Sequence, residues 1–134
     1  MLERPDLETL RAQLTDVRQA GIESLGVAVL NDYREGLLER ELAQVAREVG
    51  FQHVALGNEL APSIGYLARA STTAIDAYLT PLLRRYLAGL TAALPGSRLL
   101  LMQSNGGLCD AARFRGTASV LSGPAGGALS LIHI

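Results

Sequence analysis

The sequence is short of several residue types, and each shortage excludes a class of protein. Cys109 is the only cysteine, so no disulfide forms within the chain, which suits a reducing cytoplasm. Tryptophan is absent and aromatic residues make up 4%, so a core must be built from leucine, valine and alanine. A net charge of -1 offers no basic surface for phosphates, and we expect no nucleic-acid partner. No apolar run approaches the roughly 20 residues that cross a bilayer, and we expect no membrane association.

The residues that are present predict one modest α/β domain. The composition is globular, with 49% apolar and 19% charged residues in a chain of 134. Apolar spacing predicts a helix after Asp6, a strand at Ser24–Leu30, a second helix that ends at Gly50, and a strand at Phe51–Leu56. The second helix carries Glu39 on its charged, solvent-facing stripe. This order of elements predicts a mostly parallel sheet with flanking helices.

The longest helix is expected after the loop at Gly57–Tyr66. Ser71, Thr72 and Thr73 are natural N-cap residues for it, and Pro81 should kink the helix without ending it. Three further elements are predicted downstream: a buried strand at Arg98–Met102, a short helical or irregular stretch at Asp110–Phe114, and a last strand at Thr117–Leu121.

Two glycine-containing turns, Ser104–Gly107 and Ser122–Gly127, follow predicted strands. Ligands of open α/β sheets bind beyond the carboxyl ends of strands, and glycine lets backbone N–H groups approach a phosphate or carboxylate. The alternative is ordinary turn chemistry, since Asn-Gly and Gly-Pro are common in turns. Neither segment fits a Walker A or dinucleotide fingerprint, which favours the alternative.

Other candidate residues give weaker indications of a functional site. His53 has no second histidine or carboxylate near it in sequence, which argues against a metal site. Cys109 follows the Asn-Gly-Gly turn, and nothing in its neighbourhood marks it as a reactive thiol, so a small, partly buried residue is favoured over a nucleophile. The Arg84-Arg85 pair fits a solvated helix face better than an anion site. By residue chemistry alone, the sequence indicates a fold and two turns but no reaction.

A resemblance to a known family rests on four motifs between Glu59 and Gly127. The motifs are Arg69-x-Ser71-Thr72-Thr73, Ala77-Tyr78-Leu79-x-Pro81-Leu82, Met102-Gln103-Ser104-Asn105-Gly106-Gly107-Leu108 and Leu121-Ser122-Gly123-Pro124-Ala125-Gly126-Gly127. Together they resemble the hydantoinase/oxoprolinase family of ATP-dependent ring-opening enzymes, which includes related subunits of ketone carboxylases. Two positions depart from the family pattern: Leu38 stands where histidine commonly precedes Glu39, and Ala68 stands where an acidic residue precedes Arg69.

The resemblance implies a partial actin-like ATPase lobe of the ribonuclease H-like type. Residues 1–58 would end the family's N-terminal domain, and residues 59–128 would begin its hydantoinase A/oxoprolinase domain. The implied activity is ATP-dependent opening of hydantoin or 5-oxoproline, with ATP phosphorylating the amide oxygen and Mg²⁺ bridging the phosphates. The phosphate-binding loops of such ATPases are not in this chain. The implied partners are a small cyclic amide, the remainder of the parent chain and, in some relatives, a second subunit.

The resemblance also assigns roles to residues, although it identifies no catalytic group. It implies a substrate or cleft turn at Ser104, Asn105, Gly106 and Gly107. It implies the start of a hinge helix between lobes at Ser122, Gly123, Pro124, Gly126 and Gly127, in place of a phosphate cradle. Arg69, Ser71, Thr72 and Thr73 are family-motif residues without an assigned role.

Two alternatives to the cyclic-amide hydrolase are open: a subunit of a ketone carboxylase, and a non-catalytic α/β module that binds a small anion. In either enzyme the isolated segment is expected to be inactive. The last six residues, Leu129–Ile134, can be encoded by the transposase end sequence of sequencing libraries, so we expect residues 129–134 to be a non-native tail.

Overall fold

The computed structural model describes residues 5–132 of the chain, with the side chain of residue 132 left aside. The chain divides into two compact units, one that extends to Ala77 and one that starts at Tyr78. The first unit contains α1 (Leu7–Gln19), β1 (Ser24–Val27), α2 (Leu37–Val49), β2 (His53–Leu56), α3 (Gly57–Leu60) and the beginning of α4 (Tyr66–Ala93).

Helix α1 begins where the sequence predicts. The Asp6 carboxylate accepts hydrogen bonds from the Glu8 N–H (3.1 Å) and the Thr9 hydroxyl (2.5 Å), which caps the first turn. These two bonds lower the pKa of Asp6 below its ordinary value, and the bond from the Thr9 hydroxyl contributes most. After the helix the chain turns at Gly21, whose φ of +93° favours glycine.

Strands β1 and β2 pair in parallel, with Ser24 opposite His53 and Val27 opposite Leu56. The predicted β-α-β order of the first unit is therefore confirmed. Two apolar clusters form its core, and both place residues of α2 against the strands. The first contains Leu14, Val45, Ala46 and Phe51, and the second contains Val27, Ala43 and Leu56.

The second unit contains the rest of α4 and a small antiparallel sheet. Its other elements are β3 (Leu100–Met102), β4 (Leu108–Asp110), two 3₁₀ turns at Ala111–Arg113 and Gly116–Ala118, and α5 (Ser122–Ile132). Among its described residues, the apolar side chains of Leu87 and Phe114 are buried. The first 3₁₀ turn matches the short stretch predicted at Asp110–Phe114.

The predicted parallel sheet is not extended by the second unit. The described residues form two separate two-stranded sheets, one parallel and one antiparallel. A strand does form at Leu100–Met102, but Leu100 pairs antiparallel with Asp110 and is 46% exposed, so the prediction of a buried strand there was wrong. The actin-like lobe stays a prediction, while the mixed α/β character is confirmed.

The strand predicted at Thr117–Leu121 was also wrong. The segment turns, with the Ala118 N–H bonded to Arg115 C=O and the Ser119 N–H bonded to Gly116 C=O. The Ser119 hydroxyl donates to the same Gly116 carbonyl (2.7 Å), so short-range bonds outweigh the apolar pattern.

Helix α4 starts five residues before the predicted caps. Thr72 and Thr73 lie inside it, and their hydroxyls donate back to the carbonyls of Ala68 (2.9 Å) and Arg69 (2.7 Å). The prediction that this stretch caps the helix was therefore wrong. The helix continues through Pro81, as the sequence predicted.

Within residues 5–132, no helix is long and apolar enough to cross a membrane. The proposed domain division at residues 58 and 128, and the non-native tail at 129–134, stay predictions. Residues 133 and 134 of that tail lie outside the described part of the chain.

Candidate functional site

A buried glutamate joins the two loops that follow the parallel strands. Glu39 lies in the first turn of α2 and is fully buried. Its Oε1 accepts a hydrogen bond from the Val29 N–H (2.9 Å), and its Oε2 accepts one from the Asn58 N–H (2.7 Å). Val29 and Asn58 each lie two residues beyond the end of their strand. One carboxylate therefore holds the β1 loop (residues 28–36) and the β2 loop (residues 57–65), a segment that includes the short helix α3.

A buried arginine holds the same two loops through their carbonyl groups. Arg69, in the first turns of α4, is fully buried. Its guanidinium donates to the Ser63 carbonyl (2.6 Å) and to the Val29 carbonyl (2.5 Å). Its Nε lies 3.9 Å from Glu39 Oε1 and has no hydrogen-bond partner among residues 5–132. Both backbone groups of Val29 are therefore bonded to one buried ion pair.

The surroundings of this pair compensate its charges. The Arg69 guanidinium lies 5.9 Å from the ring centre of Tyr33 and 5.7 Å from that of Tyr66, within the range of cation–π attraction. Gly57 passes so close that a Cβ there would lie 3.0 Å from Arg69 Cγ and 3.2 Å from Glu39 Oε1. Only glycine fits that position without displacing the pair.

The β1 loop has a second anchor at its far end. The Asp32 carboxylate accepts a hydrogen bond from the Glu39 N–H (2.8 Å), which caps the start of α2. Gly36 adopts a left-handed φ of +63°, and a Cβ there would lie 2.0 Å from the Asn58 side-chain nitrogen. Between these fixed points Asn31 is exposed at φ +65°. The loop therefore presents a polar residue from a backbone that is held at both ends.

These loops lie at the carboxyl ends of β1 and β2. In open α/β proteins this edge of the sheet is where ligands bind, because the loops are held by a rigid scaffold while their tips face solvent. The Glu39–Arg69 pair is therefore the centre of a candidate ligand-binding edge in the first unit.

The other residues of the predicted arginine motif have structural contacts. Ser71 is exposed, whereas Thr73 is buried with its methyl carbon 3.3 Å from where a Cβ of Gly26 would lie. Gly26 thus allows α4 to approach β1 closely. The structure places Arg69, and not the serine and threonines, at the loop edge.

In the second unit, the predicted turn at Ser104, Asn105, Gly106 and Gly107 joins β3 to β4. The Gly106 N–H donates to the Gln103 carbonyl (2.9 Å), and the Gly107 N–H donates to the Asn105 side-chain oxygen (2.9 Å). The Ser104 N–H donates to the Ala118 carbonyl (2.8 Å). These three amides are bonded within the chain, so the turn is not an open cradle of N–H groups.

The second predicted turn lies against the first. Ser104 Oγ accepts the Leu121 N–H (3.1 Å) immediately before α5, which starts at Ser122 as predicted. Within α5, Gly126 faces Met102, with 3.7 Å from its Cβ position to Met102 Cγ. Gly123 and Gly127 have open space at their Cβ positions. The structure thus brings the Ser104–Gly107 turn next to the start of α5. The glycine-containing turn predicted from spacing at Ser122–Gly127 was wrong, because this segment is helical and Pro124 lies in the first turn of α5.

The described residues do not fit a magnesium–nucleotide complex. Within residues 5–132 no cluster of three histidine, cysteine, aspartate or glutamate side chains is arranged to hold a metal ion. Three amides of the Ser104–Gly107 turn are already bonded. Pro124 offers no N–H on the first turn of α5.

Of the two residues at the centre of the loop edge, the sequence marked Arg69 through its motif but missed Glu39. Glu39 was assigned to the solvent-facing stripe of α2, but it is buried because its carboxylate is bonded by two distant amides. Its place in the family pattern was the available signal. A second pair, His53 Nε2 and Asp76 Oδ2 at 3.1 Å, was missed because 23 residues separate them in sequence.

The structure shows the positions of Cys109 and Arg84 but adds no evidence for a chemical role. Cys109 is half-buried in β4, where its thiol donates to the Asp110 carbonyl at 3.5 Å. Arg84 lines an open cleft of about 790 Å³ in the second unit, together with Arg98 and Asp110. Leu87 and several alanines also line the cleft.

Comparison with known protein families identifies the carboxy-terminal part of the chain. Residues 69–134 match the Hydantoinase/oxoprolinase family. The chain is 40% identical over 132 residues to 5-oxoprolinase of Saccharomyces cerevisiae, a match that covers 96% of the chain and 10% of that protein. It is 38% identical over 126 residues to 5-oxoprolinase 1 of Arabidopsis thaliana, covering 91% of the chain and again 10% of the relative. The chain therefore spans about a tenth of the length of these relatives.

Two solved structures share the fold. The ATP-dependent caprolactamase from Pseudomonas jessenii superposes with a TM-score of 0.79 at 26% identity, over 93% of this chain and 20% of that one. A nucleotide-free acetone carboxylase superposes with a TM-score of 0.77 at 20% identity, over 94% of this chain and 19% of that one. At that lower identity the likeness concerns the fold alone.

Proposed function

We propose that the chain is a segment of a longer ATP-dependent enzyme that opens cyclic amides, because residues 69–134 match the Hydantoinase/oxoprolinase family. The proposed substrate is 5-oxoproline, a five-membered cyclic amide whose hydrolysis yields glutamate. The proposed partners are the remainder of the parent polypeptide and, as the name caprolactamase subunit alpha suggests for a relative, a second subunit.

The observation that carries this proposal is the 40% identity to a 5-oxoprolinase, because it extends over 96% of the chain. The caprolactamase structure, at 26% identity, also acts by its name on a cyclic amide, which supports amide hydrolysis as the shared chemistry. The ketone carboxylase alternative has weaker support, since the acetone carboxylase is 20% identical.

ATP and Mg²⁺ are proposed to bind outside this segment. Two observations support this: within residues 5–132 no cluster of three metal-ligating side chains is found, and three amides of the Ser104–Gly107 turn are bonded within the chain. The nine-tenths of the relatives' length that this chain does not cover leaves ample sequence for a nucleotide site.

The proposed contribution of this segment has two parts. The loop edge around Glu39 and Arg69 would face the cyclic amide, because it is the carboxyl edge of a parallel strand pair. The turn at Ser104–Gly107 would line the same enzyme's cleft, and α5 from Ser122 would connect its lobes. These assignments are supported by the internal bonding of the Ser104–Gly107 turn, which suits a rigid lining better than a phosphate cradle, and by the helical backbone that starts at Ser122.

The test is an activity assay on the full-length protein that contains these 134 residues. With ATP and Mg²⁺, we expect glutamate to be released from 5-oxoproline, and ADP to be formed in step with it. Caprolactam and acetone, each assayed with ATP under identical conditions, serve as competing substrates. Turnover of acetone with bicarbonate, and not of either cyclic amide, would contradict the proposal.

The isolated chain is the matched control for that assay. We expect no ATP-dependent glutamate release from residues 1–134 alone, because the nucleotide site is proposed to lie elsewhere. Hydrolysis by the isolated chain would show that the segment carries the catalytic site itself. It would overturn the proposal that ATP and Mg²⁺ bind outside this segment.

A further inference from the structure

The buried pair of Glu39 and Arg69 bonds to backbone in a complementary way. Glu39 accepts from two amides, those of Val29 and Asn58, and Arg69 donates to two carbonyls, those of Val29 and Ser63. Four backbone groups on two loops are therefore satisfied by two side chains that are both fully buried. Each loop is bonded by both members of the pair.

Stability alone does not explain an ionic pair at this place. Two apolar side chains of similar volume often make a buried site as stable or more stable, because they avoid the desolvation of two charges. Apolar side chains cannot, however, bond the four backbone groups that the pair bonds. What the ionic pair supplies is a fixed geometry for the two loops relative to each other.

We propose that Glu39 and Arg69 are positioning residues that hold the β1 loop and the β2 loop in the arrangement that binds the cyclic amide. The proposal rests on the proposed function for the identity of the ligand. The residues act through the loops and not by touching the substrate, since both side chains are inaccessible. The exposed Asn31, two residues beyond Val29, is the loop residue whose placement depends most directly on the pair.

Conservative substitutions should break the geometry while keeping the size of the side chains. In Glu39→Gln one carboxylate oxygen becomes an amide nitrogen, which is a donor facing a donor N–H. In Arg69→Lys a single ammonium replaces the planar fork that reaches both Ser63 and Val29. Each variant therefore loses at least one of the four bonds.

The experiment compares these variants with a doubly apolar one in the full-length enzyme. Glu39→Leu/Arg69→Met removes both charges together, so neither ion is left buried without its counter-ion, and it should regain part of the thermal stability that Glu39→Gln loses, although the four backbone groups stay unbonded. For all three we expect kcat/KM for 5-oxoproline to fall by about tenfold to a hundredfold, carried mainly by KM, because a misplaced binding loop weakens the substrate complex. The decisive variant is the double one, in which part of the stability returns and KM stays high.

An exposed ion pair in the same unit provides matched controls. Arg11 and Glu48 join α1 to α2 at 2.5 Å, with side chains 42% and 44% exposed. Arg11→Lys and Glu48→Gln make the same chemical changes away from the loops. We expect both controls to keep the wild-type KM and kcat.

Hydrogen exchange separates failure of this proposal from failure of the proposed function. In Glu39→Gln, the amides of the β1 loop and the β2 loop should exchange at least tenfold faster, while those of β1 and β2 themselves keep their protection. If the wild-type enzyme hydrolyses no cyclic amide, the proposed function fails, and the ligand named in this proposal falls with it. Unchanged exchange in both loops would overturn the positioning role, as would a double variant that regains both stability and KM.

Discussion

The two units of the chain satisfy their buried polar groups with different chemistry. In the first unit the buried centre is ionic, with Glu39 and Arg69 bonded to loop backbone. In the second unit, neutral hydroxyl groups bond to the backbone. Thr80 accepts the Gly116 N–H (2.8 Å), and Ser104 bonds to the segment before α5.

This difference predicts how much stability each unit loses when one buried polar group is removed. Removing one ion of a buried pair leaves the other without compensation, which costs much more than the pair itself contributes. Removing a hydroxyl leaves at most a neutral group without a partner, which costs less. The first unit should therefore tolerate single changes at its polar centre far worse than the second.

The largest effect is expected for Glu39→Ala. It leaves the Arg69 guanidinium buried without a counter-ion and unbonds two amides, and should lower the free energy of unfolding by about 3–5 kcal/mol. Urea unfolding of the 134-residue chain, followed by circular dichroism, measures this change. A loss below about 1 kcal/mol, the range of an exposed pair, would show that the two units do not differ in the way described.

A smaller effect is expected in the second unit for Gly116→Ala. The new Cβ would lie 2.5 Å from Leu79 Cβ and 2.8 Å from the Thr80 backbone nitrogen, so the backbone must shift. Overpacking of this kind costs about 1–3 kcal/mol.

Gly89→Ala is the control for that variant. Its Cβ position is open, with no atom within 4 Å, and it lies in the interior of α4. Alanine there should be neutral or stabilising by up to about 1 kcal/mol, because it raises helix propensity. Equal losses for the two glycine variants, measured by urea unfolding, would contradict the packing described at Gly116.

Ser104→Ala tests the hydroxyl chemistry itself. It removes one bond donated to the Ala118 carbonyl (2.8 Å) and one accepted from the Leu121 N–H (3.1 Å). We expect a loss of about 1–2 kcal/mol, well below that of Glu39→Ala. Ser130→Ala, whose exposed hydroxyl bonds only within α5, is the control and should change little. A loss as large as that of Glu39→Ala would erase the contrast between the units.

The smallest effect is a pH dependence at the start of α1. Hydrogen bonds from Thr9 and Glu8 lower the pKa of Asp6 in the folded state, so its contribution to stability is complete above the ordinary value of 3.8. That contribution is lost as the pH falls through the lower, folded-state pKa. Asp6→Asn keeps a capping oxygen but does not titrate. The difference in unfolding midpoint between the two proteins should therefore change only in this acidic range, and a constant difference would exclude the cap as its source.

Local periodicity was enough to predict α1, β1, α2 and β2 of the first unit, but not α3, which lies in the predicted loop, or the start of α4. The cap at Asp6, the apolar stripe of α2 and the two short strands all depend on neighbours in sequence, and the structure confirms them. The start of α5 at Ser122 was expected from the family resemblance and not from local periodicity, which predicted a glycine-containing turn there. The mixed α/β class follows from these elements.

What the sequence did not show depends on which groups pair with each other, and apolar spacing does not reveal this. Whether Leu100–Met102 joins a parallel sheet or a hairpin is decided by its pairing with Leu108–Asp110, which apolar content does not reveal. Glu39 has the sequence context of an exposed helix residue, and only the amides of Val29 and Asn58 explain its burial. The centre of the candidate site was therefore predicted in part, at Arg69 through its motif, but without its partner.

The contact between Gly36 and Asn58 has a consequence for the way this chain tolerates mutation. Any side chain at position 36 would meet the Asn58 amide, with a Cβ only 2.0 Å from its nitrogen, and would also have to adopt a φ of +63°. In a library of single substitutions position 36 should accept glycine alone. A library that varies both positions should recover small residues at 36, asparagine first because it tolerates left-handed backbone, only when position 58 is glycine or alanine. Substitutions at these two positions, which lie on different loops, would then be recovered only in combination.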